Sequence, residues 1–144
     1  RFAETARDME TSQIETKAQE FIDALHTLEN GSLDDAGQLV ALFAENAVLN
    51  NAALDNKNQQ IEGADEILRF WTQYKETLGD VRSEFHQITA NAQSAGLFWT
   101  TRGQNPGGDE VHYHGATLLE FGGDGKIQHF RGYYDTRELT VKAA

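Results

Sequence analysis

The sequence contains no cysteine and a single proline, and its 12 basic residues are outnumbered by 23 acidic ones. Without cysteine there is no disulfide framework and no thiolate nucleophile or metal ligand. One proline and a hydrophobic fraction of 39% exclude a Pro-rich disordered chain and predict a compact domain. A formal charge of −11 argues against nucleic acid and anionic membrane surfaces as partners, because both are polyanions. No apolar run approaches the roughly 18 residues of a membrane span, so a soluble protein is expected, cytoplasmic rather than exported. The chain begins at Arg1 instead of methionine, which leaves room for a segment removed upstream. The Gly-Gly pairs at 107–108 and 122–123 precede no helix, so neither reads as a phosphate loop. No organic cofactor or metal is expected.

What is present is a clear change of period along one domain of residues 1–144, with 1–11 read as a loosely ordered extension. Ser12 and Glu15 form a capping-box pattern ahead of Ile14, Ala18, Phe21, Ile22, Leu25 and Leu28 at helical spacing, and Asn30-Gly31 stops that helix. Ser32 starts a second helix carrying Leu33, Leu39, Val40 and Phe43. A short strand over 47–51 and a polar loop over 52–60 follow. A third helix over 64–78 presents Ile67, Phe70, Trp71, Tyr74 and Leu78 on one stripe, which reads first as core. Beyond Gly79 four strands are predicted, over 81–90, 95–104, 110–121 and 126–135. The last two are joined by Gly122-Gly123-Asp124-Gly125, a turn sequence suited to positive φ. Helices before an antiparallel sheet make the chain α+β, with the helices on one face of the sheet.

With that order in hand, three stretches resemble the SnoaL-like branch of the nuclear transport factor 2-like superfamily. They are Phe43-Ala44-Glu45-Asn46-Ala47-Val48, Gly63-Ala64-Asp65-Glu66-Ile67, and Asp124-Gly125-Lys126-Ile127 continuing to Arg131-Gly132-Tyr133-Tyr134-Asp135. The resemblance, over about residues 13–139, implies a cone-shaped half-barrel: a curved, mostly antiparallel sheet wrapped around three N-terminal helices. It also implies a pocket inside the cone and a homodimer through the outer sheet face. The superfamily holds ketosteroid isomerase, limonene epoxide hydrolase, dehydratases, cyclases and non-catalytic domains, so function has to come from the pocket.

Carried over from ketosteroid isomerase, the base position falls on Asn51, the tyrosine on Phe21 and the acid on Thr117, and none keeps its chemistry. From limonene epoxide hydrolase, Arg102 matches the arginine and Asn51 the asparagine. The two acids fall on Gln104 and Gly132, and the tyrosine on Leu49, which removes the acid–base pair. Alternation along the strands places Tyr113 and Thr117, Phe130 and Tyr134, and Phe98, Thr100, Arg102 and Gln104 toward the pocket. An inward Arg102, with Asn51 and Gln104 beside it, would receive an anionic group, unless Glu84 or solvent neutralises it. Asp55 and Glu62 are the acids that could reach the pocket instead.

His86, with Glu84 two residues away on the same face, is the proton-transfer candidate, against a plain surface histidine. His112 and His114, with His129 on the next strand, have the spacing of a metal site, but Tyr113 and Thr117 claim the pocket face. The histidines are therefore expected outside, in solvent or an interface. Asp135 reads as an ion pair with Arg131 or Arg137. The expected function is binding of a small, mostly apolar molecule, with an anionic group if Arg102 points inward. Cofactor-free conversion of isomerase, dehydratase or cyclase type would use His86. The alternative is a non-catalytic interaction domain with a closed cavity.

Overall fold

The computed structural model describes residues 9–143, with side-chain placement described through Leu139. Helix α1 (Thr11–Asn30) begins one residue before Ser12. Its start is fastened by Glu10 and Gln13, with the Glu10 amide donating to Gln13 Oε1 at 2.9 Å, rather than by Ser12 and Glu15. A 3-10 turn (Leu33–Asp35) and short α2 (Ala36–Val40) follow. Strand β1 (Phe43–Asn51) starts at Phe43, so the second helix is shorter than its apolar spacing predicts. The expected loop contains α3 (Ala52–Asn56) and a two-residue β2 (Ile61–Glu62). Then come α4 (Ala64–Leu78), β3 (Asp80–Ala90), β4 (Ser94–Gln104), β5 (Glu110–Phe121) and β6 (Ile127–Tyr134). A terminal helix, α5 (Thr136–Ala143), was not foreseen in the sequence. The expected N-terminal extension lies mostly outside the described residues.

The six strands run in the order β2-β1-β6-β5-β4-β3, antiparallel throughout except for parallel β1 and β6. The sheet is curved and unclosed, and the fold is the expected α+β cone. Two turns hold its register. At the β5–β6 hairpin the Gly122 amide donates to the Lys126 carbonyl and Gly125 takes φ +81°. At the end of α4, Gly79 takes φ +72° and turns the chain into β3.

The apolar stripe of α1 and residues Ile67 and Trp71 of α4 pack onto the inner sheet face, against Leu49, Leu97, Leu119 and Phe130. A smaller cluster of Leu78, Val81, Val111 and Tyr113 closes the other end of the helix layer. Aromatic edges knit the first cluster together: Trp71 meets Phe130 at 5.5 Å between ring centres and Phe70 at 4.9 Å. No helix among the described residues is long and apolar enough to cross a membrane.

Two register features decide which side chains reach the interior. On β4 the inner set is Ala95, Leu97, Trp99 and Thr101, one residue out of step with the expected set. On β3 the pairing with β4 slips between Phe85 and Gln87, a bulge that absorbs His86. Val81, Ser83 and Phe85 point inward before it and Ile88 after it.

Candidate functional site

Between α1, α4 and the concave sheet face lies a cavity of about 470 Å³. Helix α1 contributes Phe21 and Leu25, α4 contributes Phe70, Trp71 and Tyr74, and the strands contribute Phe85, Trp99, Tyr113 and Phe130. Two aromatic groups thus form its walls. Trp99, Tyr113 and Tyr134 make the second, with ring centres 5.2 Å apart for Trp99–Tyr113 and 5.4 Å for Tyr113–Tyr134. Space remains between them partly because β6 carries Gly132 where a side chain would project.

Of the residues expected to line the pocket, Asn51, Tyr113, Thr117, Phe130 and Tyr134 do so. Phe21 and Gly132 do too, so all three positions matched to ketosteroid isomerase face one cavity. Arg102 and Gln104 do not line it. The β4 alternation inverts them, and both are exposed on the outer face, where Arg102 stands opposite Arg82 and His112. Glu84 makes no ion pair with Arg102; it lies 4.0 Å from His86. His86 is also outside, its side chain 49% exposed and its Nε2 2.8 Å from Thr100 Oγ1. Neither Asp55 nor Glu62 lines the cavity. The histidines of β5 and β6 lie on the outer face: His114 pairs with Glu138 at 3.3 Å, and His129 meets Asn50 Oδ1 at 2.6 Å, while His26 on α1 meets the Ser83 carbonyl at 2.7 Å. Among the described residues no group of three or more side chains is arranged to hold a metal. Asp135 pairs with Arg137 at 2.9 Å, and Arg131 with Glu120 at 3.3 Å.

The polar chemistry of the cavity comes mainly from hydroxyls. Thr117 Oγ1 accepts from Trp99 Nε1 at 3.0 Å, so its own proton remains available. Asn51 Oδ1 accepts from the Leu54 amide at 2.8 Å, capping α3 and leaving the amide nitrogen as a donor. Burial pushes the Tyr134 phenol up, partly opposed by a hydrogen bond with the Ala53 backbone. Burial likewise raises Tyr74 and Tyr113, the latter helped by the nearby Tyr134 and by the Glu29 charge. All three phenols are neutral donors near pH 7. Trp71, only 3% exposed, has an indole N–H with no hydrogen-bond partner among the described residues.

Sequence reasoning missed the group beside this wall. Glu29, at the end of α1 and 3% exposed, accepts from Tyr74 Oη at 2.7 Å, from the Ser83 amide at 2.8 Å and from Ser83 Oγ at 2.5 Å. Ser83 Oγ lies 2.6 Å from Thr101 Oγ1. The signal was present: Glu29 follows Leu25 by four residues and so falls on the apolar stripe of α1. Tyr74, Ser83 and Thr101 line the cavity while Glu29 stands behind them.

No curated protein matches the chain in sequence. Among solved structures, a ketosteroid isomerase candidate from Kribbella flavida superposes with a TM-score of 0.65 at 22% identity, covering 87% of this chain and 79% of that one. An LEH-like epoxide hydrolase from M. tuberculosis gives 0.70 at 17% identity, covering 92% and 90%. A de novo designed protein with a curved β-sheet gives 0.68 at 17% identity, covering 94% and 95%. Such distant likenesses carry the fold and not a reaction. The sequence profile of the SnoaL-like domain spans residues 18–130, from the first helix to the last strand around the cavity, and the chain belongs to that family, within the NTF2-like superfamily.

Proposed function

We propose that the chain, acting as one domain, binds a small and mostly apolar organic molecule in the cone cavity. The observation that carries this reading is the open volume of about 470 Å³ between aromatic walls. A domain used only for interaction would fill that space with side chains. Thr117, Tyr134 and Asn51 supply donors that orient the ligand, and Tyr113 and Phe130 supply wall. Among the described residues no aspartate, glutamate or histidine lines the cavity, so the reading is one of binding.

Gly132 allows a direct test. A Cβ there would sit 3.4 Å from Asn51 Cβ and from a Phe130 ring carbon, an ordinary contact, and a longer side chain would enter the cavity. Gly132→Leu is expected to keep the fold and to weaken calorimetric binding of 2-naphthalenemethanol at least about tenfold. Wild-type protein that takes up none of this alcohol, or a variant that binds it equally well, would sink the proposal.

The partner on the outer face is proposed to be a second copy. Phe98, Ala116 and Tyr133 stand in one cross-strand row, with Phe98 42% and Tyr133 50% exposed. Acidic and basic side chains flank that row on the same chain, which suits a self-complementary contact. Sedimentation should show a wild-type dimer and a Phe98→Glu/Tyr133→Glu monomer. A monomeric wild type at micromolar concentration rules this pairing out.

A further inference from the structure

Tyr74, Thr101 and Tyr113 all line the cavity, and Tyr74 Oη and Thr101 Oγ1 are joined through Glu29 and Ser83. Thr101 and Tyr113 are direct cross-strand partners, and Tyr74 and Tyr113 are near enough to interact electrostatically. Glu29 fixes where two of the protons go. An ionised carboxylate only accepts, so Tyr74 and Ser83 both donate to it. Ser83 then has no proton for Thr101, and Thr101 must be the donor across their 2.6 Å contact. The protons of Tyr74 and Thr101 are thereby committed, and those oxygens can offer a ligand only lone pairs. Tyr113 Oη makes no hydrogen bond with any described residue and can accept as well.

The charge behind these oxygens is not cancelled. Among the described residues no lysine, arginine or histidine makes an ion pair with Glu29. Lys75 is nearby, but its ammonium bonds the main-chain carbonyls of Glu29 and Gly79, at 2.7 and 3.4 Å. Lys57, the cation in the cavity lining, is exposed, so water screens it. An acceptor cluster backed by a buried anion and flanked by the rings of Trp99 and Tyr113 suits one ligand class above others. We infer that the cavity receives a protonated amine, its ammonium against Tyr74, Thr101 and Tyr113 and its apolar body between the aromatic walls. The inference rests on the binding reading above and names its ligand class. It replaces the anionic group that an inward Arg102 would receive, since Arg102 lies on the outer face. The rings add cation–π attraction, and the net charge of −11 steers cations toward the protein.

Three probes of matched shape test it by calorimetry at neutral pH: 2-naphthylmethylamine, 2-naphthalenemethanol and 2-naphthoate. The amine should bind at least about tenfold tighter than the alcohol, and the carboxylate weakest of the three. In Glu29→Gln the amine-to-alcohol ratio should fall below about threefold, since the charge is gone while the side-chain shape stays. Should that variant fail to fold, Tyr74→Phe, which removes one acceptor oxygen, is scored by the same ratio. Equal or tighter binding of the carboxylate, or a ratio unmoved by the variant, overturns the inference while leaving the binding reading intact. Failure of the wild type to bind even the alcohol removes both.

Discussion

Glu29→Leu should lower the stability of the fold by about 3–5 kcal/mol, the largest loss expected from any side chain in the helix layer. Leucine fills most of the volume, so the loss comes from stranded donors. The Ser83 amide, Ser83 hydroxyl and Tyr74 phenol all lose their acceptor at once, in a place water does not reach freely. Each buried donor without a partner costs about 1–3 kcal/mol, and partial rearrangement toward Thr101 keeps the sum below the maximum. The effect should be strongly non-additive. Tyr74→Phe alone removes one donor and should cost about 1 kcal/mol, and the pair Glu29→Leu/Tyr74→Phe should be more stable than Glu29→Leu plus that cost. Urea unfolding at constant slope measures all three. A loss below about 1 kcal/mol for Glu29→Leu would mean that the carboxylate is not the acceptor holding β3 to α1.

A second large effect is expected at Gly115, where alanine should cost roughly 3 kcal/mol or more. A Cβ at this position would run into the main-chain oxygen of Tyr133 and would lie 3.0 Å from both the Trp99 ring and Tyr134 Cβ. The first contact is with backbone, so no side-chain rotation relieves it. The β5–β6 ladder has to separate locally, or the Trp99–Tyr134 wall has to move. Gly132 sits on the neighbouring strand in the same wall, and there the nearest contacts are 3.4 Å. Thermal unfolding of Gly115→Ala and Gly132→Leu side by side should therefore give a large drop for the first and little change for the second. Two similar drops would mean that the wall tolerates no side chain at either place, and the cavity is then less open than described.

The contrast between strands explains what could be read from the chain. On β5 and β6 the Gly-Gly-Asp-Gly turn fixes the register, and Val111, Tyr113, Thr117 and Leu119 alternate cleanly. That alternation puts Tyr113, Thr117, Phe130 and Tyr134 in the wall, and all four line the cavity. On β4 large apolar side chains occupy both faces. Leu97 and Trp99 go in while Phe98 goes out, so an alternation that counts Phe98 as inward is one residue out of step. Arg102 and Gln104 followed that shift. On β3 no single alternation exists, because the bulge at His86 changes phase midway. Glu29 sits on a legible helical stripe, but its meaning depends on Ser83, Tyr74 and Thr101, which reach it only when α4 and the paired strands β3 and β4 pack against α1. Helix spacing reveals a polar residue on an apolar face; it does not reveal which donors will be waiting there.

The chain has two tryptophans, and both belong to the cavity wall, Trp71 on α4 and Trp99 on β4. Their indole emission therefore arises entirely from the two sides of one hollow. A guest that displaces water between them should change the colour or intensity of that emission without any added label. The protein reports optically on its own occupancy, and a Trp71→Phe or Trp99→Phe variant would show from which side the guest is seen.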